Sequence, residues 1–308
     1  MGFVRYEELP LTISVAGTSE DLYATNFTAS ENLPLTPVRA LGYNGAVATT
    51  STAPLDGSFS VSFAPGGVQQ GGSSCKTTDG IRNGAAVINA PKKPFKAGEF
   101  VEVIIGLGST IFSEGMATSF SISLEPNALI TATLDGSIYD SLGIHGTTAV
   151  GNIVPDPARL ADGAEAGGGA AMAHGSKSGP SAAVAALMGF STDPFNATYT
   201  ASRGLTPIYT VHELAPAFVM PTDPQESLSM QGDNLPTALL NNDLEIGSAC
   251  ISAINAAFSV SDYCGNVIYN TSQLAVCGFP QTRSIGLTTD DVLRGDVSLI
   301  DYNYPQEF

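Results

Sequence analysis

Tryptophan is absent from this chain, and cations are scarce: Lys and Arg number 12 against 29 Asp and Glu, for a formal net charge of −17. A field of that sign repels nucleic acid and anionic membrane, which excludes conventional DNA- or RNA-binding. The lack of Trp also weakens any carbohydrate-binding reading, because sugar platforms lean on aromatic faces. Charged residues are only 13%, about half the ~25% of an ordinary globular protein. A surface covered by neighbouring subunits tolerates that deficit. No apolar run approaches the roughly 18 residues of a membrane span, so no membrane insertion of its own is expected. The start, "MGFVRYEELPLTISVAG", carries Glu7 and Glu8 and does not read as a secretory signal. The four cysteines (Cys75, Cys250, Cys264, Cys277) form no CxxC pair. Reduced thiols in a protein made in cytoplasm are the expectation, with a Cys264–Cys277 disulfide as the alternative.

Enzyme motifs are missing too. There is no HExxH, GxSxG or EF-hand loop. "GSKSG" (Gly175–Gly179) lacks the spacing of a phosphate loop, and Ser73-x-x-Lys76 has no companion motif. His145, His174 and His212 are scattered and do not suggest a metal triad. The expectation is therefore no catalytic residues, no cofactor and no metal. The sequons at Asn26, Asn196 and Asn270 matter only in a secreted eukaryotic setting, which nothing else supports. Pro91–Lys96, "PKKPFK", is the one basic cluster and reads as a solvated loop tip or a contact for an acidic partner.

What is present is a strand-and-turn composition, with 33 Gly and 19 Pro. "LPLTISVAG" alternates around Leu11, Ile13 and Val15; "GSFSVSF" around Phe59, Val61 and Phe63; "SFSISLEP" around Phe120, Ile122 and Leu124. Period two is the pattern of half-buried antiparallel strands. "YNG", "PGG", "EPN" and "LDG" supply the turns. The fold class expected is all-β, with one or two short helices at Ser181–Gly189 and Gly247–Phe258.

The chain also repeats itself. At an offset of 172, "GTSEDLYATNFTAS" (Gly17–Ser30) lies on "GFSTDPFNATYTAS" (Gly189–Ser202). After a two-residue deletion, "LTPV" meets "LTPI" at offset 170 (Leu35 to Leu205). At offset 163, Glu114–Asp140 lies on Cys277–Asn303, with Gly115 on Gly278, Ile122 on Ile285 and Leu124 on Leu287. Three collinear blocks indicate duplication. The expected organisation is two tandem copies of a small antiparallel β-sandwich or barrel, 1–145 and 186–308, joined by a Gly/Ala-rich linker at 146–185. Copy two is the more acidic: 16 acids and 5 bases from residue 146 onward, against 13 and 7 before it.

The stretch "LPLTPVRALGYNGAVATTSTAPLDGSFSVSF" (Leu33–Phe63), followed later by "SISLEPNALITATLDGSIYD", resembles the tail tube proteins of tailed phages. The resemblance covers about 60 residues of each copy, and "VHELAPAFVM" in copy two departs from it. It implies a virion protein of the tail, assembled in the host cytoplasm with other virion proteins. Self-assembly would give six-fold rings, or rings of three duplicated chains (homotrimer or homohexamer), stacked around a DNA channel. An acidic lumen would let DNA pass without sequence-specific binding. Another virion part (capsid decoration, neck or baseplate) and a two-domain bacterial surface or adhesin module are the alternatives.

Overall fold

The computed structural model describes residues 11–51, 54, 56–68, 87–92, 103–107, 110–125, 128–139, 170–172, 182–183, 196–211, 216–232, 255–257, 259–261, 267–269, 274–277, 279–287 and 293–302. Of these, 76% are in strands and 3% in helix. In the first part of the chain the strands are β1 (Leu11–Val15), β2 (Thr18–Asn32), β3 (Leu35–Val38), β4 (Ala48–Ser51), β5 (Asp56–Ala64), β6 (Gly66–Val68), β7 (Val103–Leu107), β8 (Thr110–Leu124) and β9 (Thr131–Ile138). They are followed by β10 (Ala170–Met172), β11 (Ala182–Ala183), β12 (Asn196–Ile208), β13 (Phe218–Gly232), β14 (Asn255–Ala257), β15 (Ser259–Ser261), β16 (Val267–Tyr269), β17 (Ala275–Cys277), β18 (Phe279–Gly286) and β19 (Arg294–Asp301). The helical residues form one 3-10 segment, Val87–Lys92, packed against β8 and β12.

Every strand pairing among the described residues is antiparallel. β2 and β8, with β13, are the longest strands, and β2 and β8 each divide their length between two neighbours within the first part of the chain. The first part of β2 pairs with β1 and the rest with β5. The first part of β8 pairs with β7 and the rest with β9. Since β1 also pairs with β7, and β5 with β9, the six strands form a closed ring of pairings. Closure gives each of the six strands two neighbours, while the later parts of β2 and β8 each leave one edge outside the ring.

The sheet does not end there. Along Ser119–Leu124, β8 uses its other edge to pair with β12. From β12 the sheet continues through β13 and β19 to β18. One large sheet therefore runs β2–β5–β9–β8–β12–β13–β19–β18, and the described strands of 186–308 extend the sheet of 1–145.

The alternation read from sequence places the core. Leu11, Ile13 and Val15, then Phe59, Val61 and Phe63, then Phe120, Ile122 and Leu124 are all buried. They belong to one apolar cluster that continues through Tyr199, Leu228, Met230, Val297 and Leu299 of the later strands. Tyr269 from β16 sits edge-on to Phe120, with ring centroids 5.9 Å apart at 74°, a favoured aromatic geometry. Among the described residues Arg203 is the buried cation, and its Nε donates to the Ala117 carbonyl at 3.0 Å. That carbonyl sits where a bulge interrupts the β8–β9 ladder, so the guanidinium bonds backbone at the break.

Two helix expectations are corrected where the structure describes them. Ala182–Ala183 forms a strand paired with β15, and Asn255–Ala257 a strand paired with β17. Ala-rich sequence suits an isolated helix, but an adjacent strand edge supplies backbone partners and overrides the propensity. Within 146–185, Ala170–Met172 pairs with β6, so these two short stretches are docked on the chain itself rather than free. His145, His174, His212, Ser73, Lys76, Gly175–Gly179, Asn270, Cys264 and Lys93–Lys96 lie outside the described residues, and with them the Cys264–Cys277 pairing.

Two outcomes follow from this core. Phe59 packs over Gly136 of β9, where an added Cβ would be driven into its ring and the Met116 carbonyl. Gly136→Val should therefore cost about 2–3 kcal/mol, measured as a shift in the urea midpoint. Burial first, and then the Glu20 carboxylate, push the Tyr269 hydroxyl well above its ordinary value. The folded chain then holds this proton where the unfolded chain releases it. Stability should be insensitive to Tyr269 below about pH 10 and fall as pH rises beyond it. Tyr269→Phe should flatten that alkaline slope without abolishing it, because burial also raises Tyr139 and Tyr209. Thermal melts between about pH 8 and 11 read the slope.

Candidate functional site

Period-two strands that bury one face must present the other. On the large sheet that presented face is nearly all hydroxyl and amide. β2 contributes Asn26, Thr28 and Ser30; β5 contributes Ser58, Ser60 and Ser62. β9 adds Thr131, Thr133, Asp135 and Ser137, and β8 adds Ser119, Ser121 and Ser123. β12 continues with Asn196, Thr198, Thr200 and Ser202, and β13 with Gln225, Ser227, Ser229 and Gln231. Asp296, Ser298, Thr282 and Ser284 complete it on β19 and β18.

These side chains bond to one another across the strands. Ser30 and Ser58 hydroxyls are 3.3 Å apart, and so are Ser62 and Thr133. The Ser119 hydroxyl donates to an Asp135 carboxylate oxygen at 3.0 Å. Ser123 meets Thr198 at 3.4 Å across the junction of the two halves. Further along, Asn196 donates to Gln231 at 3.3 Å, Gln231 to Asp296 at 2.6 Å, and Ser284 to Asp296 at 3.0 Å. Cross-strand pairs of this kind fix side chains that would otherwise be free to rotate, and so give an ordered polar surface.

The described residues of this face carry the carboxylates Asp56, Asp135 and Asp296, and the cation Arg294 at the start of β19. The acidic bias of the composition is thus not concentrated here. What distinguishes the face is its near lack of cations and its continuous hydroxyl cover. No group of three or more His, Cys, Asp or Glu among the described residues is arranged to hold a metal ion. Asn26 and Asn196 lie exposed on this face, on β2 and β12.

Two strand edges take no further strand among the described residues. Among the described residues, Tyr23–Asn32 of β2 pairs only with β5, and β18 pairs only with β19. Apolar side chains are exposed at the β18 end (Ile285, Leu287) and on the β3–β4 hairpin (Leu35, Leu41, Tyr43, Val47). Gly42 and Gly45, at φ 86° and 107°, turn the hairpin tip through the left-handed region.

The pairings repeat as the sequence does. β3 on β4 sets Leu35 opposite Ser51 and Val38 opposite Ala48; within β12 and β13, Leu205 faces Pro221 and Ile208 faces Phe218. All four positions differ by 170, and both hairpins close with an equivalent bond, Val47 N to Val38 O and Ala217 N to Ile208 O. "VHELAPAFVM" thus leads into the same hairpin closure as "LGYNGAVATT". The β8–β9 and β18–β19 hairpins agree at offset 163: Phe120 opposite Leu134 becomes Arg283 opposite Val297. Even the bulge recurs, between Ala117 and Ser119 and between Pro280 and Thr282. The large sheet is two four-strand units in the same order, β2–β5–β9–β8 and β12–β13–β19–β18. The alternation that gives each strand a buried and a presented face was legible in the sequence; the joining of the described strands of 186–308 to the sheet of 1–145 was not. No protein-family model matches the chain, and no curated protein is similar enough to count as a relative.

Proposed function

We propose that this chain is a structural subunit of a phage tail tube. Two tandem copies of one domain in each chain make three chains a pseudo-hexameric ring, and stacked rings form a conduit for DNA. The observation that carries this reading is the eight-strand sheet built of two like units, with no further strand at either end among the described residues and one face almost wholly polar. Open edges seek strands, and a unit that already repeats side by side within one chain can repeat again between chains.

The hydroxyl face lines the conduit. DNA adheres to proteins chiefly through phosphates that displace counterions onto Lys and Arg. A wall of Ser, Thr and Asn with three carboxylates and a single Arg among its described residues gives the backbone almost nothing to exchange. The lumen is thus better described as neutral, with sparse acid, than as strongly acidic. The exposed apolar side chains on the β3–β4 hairpin fit the same reading, since a patch of that kind marks a contact surface.

Electron microscopy of the purified protein, beside its mass in solution, tests this directly. Rings or tubes with a central opening and three chains per ring are expected. A stable monomer at every concentration would overturn the proposal. A second test addresses the lumen. Ser60→Lys and Thr200→Lys place cations on the presented face without touching the core. Assembly should survive, and the particles should now retain short duplex DNA, releasing it between about 50 and 200 mM salt. Retention unchanged from the parent would show that this face does not meet DNA.

A further inference from the structure

We infer that rings close by antiparallel pairing of β18 of one chain with β2 of a second copy, in one register: Leu287 opposite Phe27, Ile285 opposite Ala29, Arg283 opposite Glu31. This rests on the ring assembly proposed above and adds the contact itself.

The template is the junction inside the chain. There β8 pairs with β12, with Leu124 opposite Ala197, Ile122 opposite Tyr199 and Phe120 opposite Ala201. β18 stands to β8 at offset 163, as the shared register and bulge of their hairpins establish. β2 stands to β12 at offset 170. That offset holds through the hairpin Leu35–Val38 and follows independently from the ladders. Phe27, Val61 and Leu134 lie opposite one another in sequence along one row; Ala197, Met230 and Val297 do so along the other. Moving the internal junction by these two offsets gives the register stated.

Burial points to the same pairs. Ile122 and Leu124 are 1% and 7% exposed where β12 lies beside them. Their equivalents Ile285 and Leu287 are 55% and 71% exposed at the open edge. On the opposite edge Phe27 and Ala29 are only partly buried, whereas their equivalents Ala197 and Tyr199 are fully inside. Each edge thus exposes the positions that the internal junction covers. The register also brings one carboxylate opposite one guanidinium, Glu31 and Arg283, and complementary charges fix register and partner.

Geometry supplies an independent check. A row that starts at Phe27 crosses Val61, Leu134 and Phe120 and reaches β12 at Ala201. Ala201 is the equivalent of Glu31, so each unit advances the row by four residues (31 minus 27). Only the stated register keeps that advance the same between chains as within one. Six units then close a barrel whose shear equals its number of strands. Its strands tilt by about 35° and its backbone spans about 45 Å, within the range of stable barrels.

Charge reversal in the full chain tests the register. Arg283→Glu alone and Glu31→Arg alone should each cut ring yield about tenfold at fixed concentration. The double variant should recover to within about twofold of the parent. Both residues also make contacts within their own chain, so melting of each variant is followed alongside. Leu287→Asp, at an exposed position, should abolish rings while leaving the melt unchanged, and serves where a reversal disturbs the fold. A parent that forms rings while the double variant stays as defective as the singles, or while Leu287→Asp assembles normally, overturns this register and leaves the tube reading intact. A parent that never assembles overturns both.

Discussion

The pairing of β8 on both of its edges decides the rest of the structure. One edge of Ser119–Leu124 completes the closed six-strand ring with β9, and the other receives β12. Without that second pairing the two halves would each need their own core and their own covered edges. With it, one apolar cluster runs from Leu11 to Leu299. One polar face runs beneath it from β2 to β18. The strands that keep an open edge are the outermost ones, which is where a neighbouring chain can join.

Period two then divides the labour between the faces. Inward positions carry the aliphatic and aromatic side chains that make the core, and they leave glycine only where crowding demands it, as Gly136 does under Phe59. Outward positions carry short hydroxyls and amides that bond across strands, as Ser62 does to Thr133 and Gln231 to Asp296. A surface so low in cations has little affinity for phosphate.

Much of this was readable from sequence, because a half-buried strand writes its burial in alternate letters. Leu11, Ile13, Val15 and Phe59, Val61, Phe63 were placed correctly on that basis alone. The offset of 163 anticipated the β18–β19 hairpin to the residue. The offset of 172 did not: the ladders relate β2 to β12 at 170. Similar letters, "TAS" on "TAS", drew the alignment two residues along the strand, and a two-residue slip keeps every side chain on its face, so periodicity could not expose the error. Ala182–Ala183 and Asn255–Ala257 were misread as helix because Ala and small residues carry no strand pattern, and only tertiary pairing determines their state. Nothing local could announce that β8 pairs twice, since Ser119–Leu124 reads the same with one neighbour or two.

The proposed ring contact uses the two edges that take no further strand among the described residues. Amide hydrogen exchange, read in the free chain and in assembled particles, tests this most directly. The alternate amides of β18 and of Tyr23–Asn32 that face away from β19 and β5 should slow by about a hundredfold or more on assembly, while those of Ser119–Leu124 and its partner stretch of β12 are protected in both states. Particles in which β18 and β2 exchange as fast as in the free chain would contradict it, because the contact between chains would then lie elsewhere.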